Sequence, residues 1–215
     1  MRFAIVGEGL TDFKVLKNLL IGFFKDKNLP VTRLLPNDNE PVGWGNVLQY
    51  LSTAEFQMGV RLNDYVVVQI DTNECEEWAK VRHLGDNSKD IIAFIGQITA
   101  QLIARISHDF YHANQQKIFF AICVHEIECW LLPFHASQPA HASKLVGCFN
   151  TLEKIAVKNG YSLHQKNYQD GKHYDGLSGE MKNHKELLKK SELNPGMKVF
   201  IDTLLVRFPQ DAQSH

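Results

Sequence analysis

One segment constrains this chain more than any other: Asp64-Tyr65-Val66-Val67-Val68-Gln69-Ile70-Asp71. It is β-branched and continuous, so it reads as a central strand of a sheet covered on both faces. It runs straight into acid. Shorter runs repeat the pattern. Phe3-Ala4-Ile5-Val6 is a strand closed by Gly7-Glu8-Gly9, and Thr11 is the expected N-cap of a helix over residues 12–26. Its apolar residues Val15, Leu16, Leu19, Leu20, Phe23 and Phe24 recur at helical spacing. Val31–Leu35 is a further strand, ended by a turn over Pro36–Pro41. Trp44–Phe56 reads as a second helix, and Asp90–Ile106 as a third with a broad apolar stripe. Lys117–Val124 is a buried strand that meets His125-Glu126-Ile127-Glu128-Cys129-Trp130, where another helix starts.

Strands alternating with helices across long crossovers predict a Rossmann-like α/β core with a mainly parallel sheet over residues 1–135. Residues 136–215 predict a C-terminal helical part packed on that core. It has a loop at Gln138–Ser143, a helix at Lys144–Asn159 and a polar, turn-like stretch from Gly160 to Gly179 with His164, Lys166, Asp170, Lys172, His173 and Asp175. Helices over 180–192 and 195–206 follow, then a mobile tail at Gln210–His215.

Composition excludes little but does so firmly. With 44% hydrophobic and 22% charged residues the chain is not of the disordered class. A net charge of −1 argues against holding nucleic acid by bulk positive potential. Cys75, Cys123, Cys129 and Cys148 fall at no CxxC spacing, so they read as buried thiols of a reducing compartment rather than a zinc site or disulfide frame. No apolar run approaches the ~18 residues of a membrane span, and Met1–Val6 meets Gly7 and Glu8 before a signal core forms. The expected location is the cytoplasm, with no membrane partner.

The chemistry lies at the strand ends. Glu8 with Asp12, then Asp71 with Asn73, Glu74, Glu76 and Glu77, then Glu126 with Glu128 each follow a predicted strand. In open α/β sheets ligands bind beyond the carboxyl ends of the strands. Carboxylates gathered there repel one another unless a cation holds them. Hard oxygen donors without interleaved histidine or cysteine favour Mg²⁺ or Mn²⁺. Taken singly, Glu8 and Asp12 also suit the first turn of a helix, Glu74, Glu76 and Glu77 suit a solvated loop, and Glu126 or Glu128 suits a cap. A helix starting at 126 would set Glu126 and Glu128 roughly 200° apart, so only one of them need be a ligand, and Glu126, nearer the strand end, is favoured.

Strand-Glu8-Gly9-x-Thr11-Asp12, strand-Asp71-x-Asn73 and strand-x-His125-Glu126-x-Glu128-x-Trp130 together resemble Toprim-like proteins of the DUF4276-type group, related to the Toprim domains of OLD-family nucleases. Lys172-His173-Tyr174-Asp175-Gly176-Leu177 and Asn194-Pro195-Gly196 resemble that group's C-terminal part. The resemblance implies a Toprim-like fold, with Glu8 acting near the reacting phosphate and Asp12, Asp71 and Glu126 as metal ligands. Asn73 stands where such domains usually carry a second aspartate; it still offers a carbonyl oxygen to a metal but drops a charge, so either Glu74 or Glu76 compensates or the site is single-metal or degenerate. Lys172 is the basic residue suited to a transition-state phosphate, and His125 to orienting a carboxylate or contacting substrate. The implied activity is a Mg²⁺- or Mn²⁺-dependent nuclease acting on DNA or RNA in prokaryotic anti-phage or mobile-element defence, beside a partner ATPase. The alternatives are a catalytically degenerate module that binds or regulates such a partner, and a phosphatase or nucleotide-processing enzyme.

Overall fold

In the computed structural model of the chain, which describes residues 1–37, 43–85, 90–163 and 171–209, the predicted apolar runs are strands. These are β1 (Phe3–Val6), β2 (Val31–Leu35), β3 (Tyr65–Asp71) and β4 (Ile118–Cys123). They form one all-parallel sheet in the order β2-β1-β3-β4. Val6 lies opposite Val68, and Asp71 opposite Cys123. The helices are α1 (Leu10–Phe24), α2 (Trp44–Leu51), α3 (Ala54–Leu62), α4 (Cys75–Trp78), α5 (Ile91–Ile103), α6 (His108–Asn114), α7 (Glu128–His135), α8 (Pro139–Ala142), α9 (Cys148–Lys158), α10 (Gly171–Leu177), α11 (His184–Ser191) and α12 (Pro195–Arg207). The architecture is the expected Rossmann-like α/β sheet with C-terminal helices.

The period-two alternation of the strands sorts the core into two layers. Phe3, Ile5, Val67, Phe119, Ala121 and Cys123 pack with α1 and the helices after β4. Ala4, Val6, Val66, Val68, Ile70 and Ile122 pack with α2, α3, α5 and α6. The helical part beyond residue 136 therefore shares a hydrophobic cluster with β1 and α1. Asn194 locks the last helix in place: its Oδ1 accepts the Met197 N–H at 2.9 Å while its Nδ2 donates to the Cys129 carbonyl at 3.0 Å, tying α12 to α7.

Several local expectations need correction. Gly9, not Thr11, is the N-cap of α1, and a glycine has no side chain with which to cap. The single helix expected over Trp44–Phe56 is two, because Thr53 stops one and caps the next by accepting the Phe56 N–H at 3.2 Å. The loop expected at Gln138–Ser143 holds α8, with Pro139 at its first turn. The turn-like stretch before Gly179 contains α10 and runs into a 3₁₀ segment, Ser178–Lys182. Residues 38–41 of the expected turn, together with His164, Lys166, Asp170 and the 210–215 tail, lie outside the described residues.

The cysteines also differ from expectation. Cys129 and Cys148 form a disulfide, with Cα atoms 5.1 Å apart, whereas Cys75 and Cys123 are free and buried. The sequence conceals this because packing of α7 against α9, not a short spacing, brings the two sulfurs together. Among the described residues no single helix is long and apolar enough to cross a membrane.

Candidate metal centre

After β1 the chain crosses to β2 on one side, and it later returns to β3 on the other. The crevice between the carboxyl ends of β1 and β3 is thus the topological switch point of the sheet. Glu8 and Asp71 stand at this crevice. The Oε1 of Glu8 accepts the backbone N–H of Asp71 at 2.7 Å, and the Trp44 backbone donates to the same carboxylate. Gln69, fully buried in β3, bridges the strands with one amide: its Oε1 accepts the Glu8 N–H at 3.1 Å and its Nε2 donates to Asp71 Oδ1 at 2.8 Å. A polar residue in an otherwise apolar run was the available sign of this role.

Asp12 enters from the first turn of α1, buried and fixed by its own N–H and that of Gly9. A Cβ on Gly9 would lie 3.1 Å from Asp12 Oδ2, so the glycine leaves room for this carboxylate. Glu128 opens α7 and is buried, accepting a hydrogen bond from the Tyr174 hydroxyl of α10. Tyr174 therefore joins the site although its sequence neighbourhood reads as polar loop.

Burial and mutual repulsion push these acids up. Glu8 and Asp12 rise to about 7, both chiefly by burial, with Glu74 adding to the first and Glu8 to the second. Glu128 also rises to about 7, by burial and then by Glu126. Asp71 is raised well above the usual range by burial, then by Asp12, Glu8, Glu128 and Glu126. Cys123 beneath them is pushed up by burial and by Asp71, so its thiol stays protonated at neutral pH. The groups named as favouring ionisation of Glu8, Asp12 and Glu128 are N–H and O–H donors.

The remaining predicted residues lie at the margin. The carboxylate of Glu126 turns to α9, where it accepts the Phe149 N–H at 2.6 Å, and it repels Asp71 less than Glu128 does. Asn73 is exposed, and its backbone N–H donates to the His125 carbonyl at 3.0 Å. His125 has a positive φ of 62°, and its Nε2 pairs with the Leu84 carbonyl at 2.9 Å. Glu74 and Glu76 are exposed; the first accepts the Trp44 indole N–H, the second the His83 N–H at 3.0 Å. Lys172 is exposed in α10 and makes no ion pair with a described carboxylate.

Among the described residues, the one set of three potential ligand atoms all within 4.8 Å of one another is Glu126, Cys129 and Cys148. Its sulfurs are joined in the disulfide, which removes them as thiolate ligands. The Glu8, Asp12, Asp71 and Glu128 group is looser: neighbouring anions, each braced by a donor. As a set of hard oxygens it fits Mg²⁺ or Mn²⁺.

The raised values carry a stability consequence. Between ordinary carboxylate values near 4 and folded values near 7, the folded state holds protons that the unfolded state has released, so stability falls as pH rises through that window. The metal-free protein is expected to melt roughly 5 °C lower at pH 8 than at pH 5.5. Millimolar Mg²⁺ at pH 8 is expected to recover most of that difference in a thermal melt. A melting temperature that rises with pH would contradict the site's electrostatics. Comparison of the chain with protein-family models, curated proteins and solved structures found no match.

Proposed function

We propose that this chain is a divalent-metal-dependent phosphodiesterase that cleaves nucleic acid. One observation carries the reading: Glu8, Asp12, Asp71 and Glu128 converge on one switch-point crevice, with raised values and mutual repulsion. A cation bound there would offset their repulsion and polarise a phosphoryl oxygen of the substrate. Asp71, Asp12 and Glu128 supply oxygens to hold it, and Glu126 stands beside them. Gln69 fixes the direction of the Asp71 carboxylate, and Tyr174 that of Glu128. Glu8, at about 7, exchanges a proton close to neutral pH, which suits a general acid or base. Lys172, exposed in the helix that carries Tyr174, is the cation assigned to an incoming phosphate.

The resemblance to Toprim-like proteins of the DUF4276-type group supports the same reading and extends it to anti-phage or mobile-element defence. This chain has no Gly-x-x-x-x-Gly-Lys-[Ser/Thr] motif, so an ATP-driven step belongs to a partner ATPase. The exposed side chain of Asn73 favours a one-metal site. It also motivates the second reading, a degenerate module that docks a partner through the same crevice.

The purified chain with Mn²⁺ or Mg²⁺ is expected to nick plasmid DNA or cleave RNA, and Glu8→Gln to remove that activity while the variant keeps its far-UV circular dichroism. Cleavage that survives Glu8→Gln overturns the assignment. Absent cleavage together with no Mn²⁺ binding that depends on Asp71 leaves the docking module instead.

A further inference from the structure

Trp44 links the acids to a neighbouring cavity. Its backbone donates to Glu8 and its indole N–H to Glu74, while its ring forms a wall of a cavity of about 450 Å³ shared with Trp78, Leu48, Ser52, Glu77 and Arg105. The two indoles are 26° from parallel with centroids 6.4 Å apart. Trp78 is 8% exposed, and its Nε1–H is buried with no hydrogen-bond partner among the described residues. That N–H is shielded within the fold, while the rest of the Trp78 ring contributes to the cavity wall.

A nucleobase suits such a wall, because it is a flat aromatic ring able to stack on indole faces. The guanidinium of Arg105, exposed at the cavity, can cover a base face as a planar cation. A base inside a duplex has both faces already stacked and cannot enter without being flipped out. Glu77 in the wall and Glu74 beside Trp44 make the cavity a poor seat for the phosphate itself.

We propose that this cavity is an unpaired-base subsite: it seats one nucleobase of a single-stranded nucleic acid against Trp44 and Trp78, next to the acidic crevice. The phosphate's place over Glu8 and Asp71 rests on the phosphodiesterase reading, but the base subsite does not. Because Arg105 is the cation of the cavity wall, affinity comes from stacking more than from counterion release, and its dependence on salt is shallow.

The test measures binding of a labelled single-stranded oligothymidylate to the full chain by anisotropy, in Ca²⁺, over a salt series. An oligonucleotide of the same length with abasic sugars is expected to bind about tenfold more weakly, as is the normal ligand to Trp44→Ala. Trp44→Phe restores most of the loss, and Trp78→Phe, which keeps a ring but removes the N–H, weakens binding less than Trp44→Ala. Equal binding of the abasic strand, or of a blunt duplex, overturns the proposal. So does a thymidine monophosphate that competes as well as the strand, since the pocket is then one for free nucleotides. The abasic and duplex comparisons use the unaltered protein, so a variant that misfolds does not blunt them. Base-dependent binding without Mn²⁺-dependent cleavage sinks the nuclease and keeps this subsite. Cleavage without base dependence does the reverse.

Discussion

Asp71→Asn is expected to have two opposite effects: it lowers Mn²⁺ affinity and metal-dependent cleavage by about 10²-fold or more, and it raises the melting temperature of the metal-free protein. Asp71 is the most crowded carboxylate of the crevice, with Asp12, Glu8, Glu128 and Glu126 all disfavouring its charge. Asparagine keeps an Oδ1 to accept the Gln69 amide at the same place. It adds an NH₂ donor that neighbouring carboxylates can accept, and it removes one buried charge. The gain, roughly 5 °C, is expected at pH 8 and to shrink at pH 5.5, where the acids already hold protons. An acid that merely caps a helix or satisfies a backbone donor would behave the other way, its loss costing stability. Thermal melts at the two pH values and calorimetry with Mn²⁺ separate the cases. A lower melting temperature at pH 8 would sink the proposed role of Asp71.

Gly22→Ala is expected to be the most destabilising glycine-to-alanine change among the described residues. Gly22 lies on the buried side of α1 where the 3₁₀ segment Ser178–Lys182 crosses it, and a Cβ there would sit 1.8 Å from the Met181 carbonyl oxygen. Backbone cannot swing aside as a side chain can, so helix and segment must separate, at a cost of about 3 kcal/mol or more. That separation would also disturb Tyr174, just before the segment, and with it the hydrogen bond to Glu128. Gly96, in the exposed face of α5 with nothing within 4 Å of an added Cβ, is the control. There alanine is expected to stabilise by about 0.5–1 kcal/mol through helix propensity. Urea unfolding of both variants reads the difference, and a Gly22→Ala midpoint close to the parent's would refute the close approach.

Much of this architecture is legible in the sequence because buried parallel strands advertise themselves. Val66–Ile70 and Phe3–Val6 could hardly be anything but sheet, and the acids that end them mark which end of the sheet carries chemistry. What escaped the sequence was set by tertiary contact. The break between α2 and α3 depends on Thr53 finding the Phe56 N–H, and the disulfide depends on α9 folding back on α7. The choice between Glu126 and Glu128 turned on where α7 begins. Its first residue is Glu128, which leaves Glu126 free to serve the amino end of α9. Gln69 was visible as an oddity in β3, but its partners on two strands were not. Tyr174 sat in a stretch already marked by resemblance, but its pairing with Glu128, 46 residues away, was not visible.

The parallel strand order has a consequence for the speed at which the molecule comes apart. Glu8 and Asp71 are 63 residues apart along the chain, and parallel pairing brings them together only after long loops have closed. Their repulsion is absent from the open chain and weak until the strand ends align, so it belongs to the last part of assembly. A cation that relieves it therefore acts on the native side of the barrier. Mg²⁺ is expected to slow unfolding in proportion to the stability it adds while leaving the refolding rate nearly unchanged, so a loaded molecule is one that persists longer and not one that forms sooner.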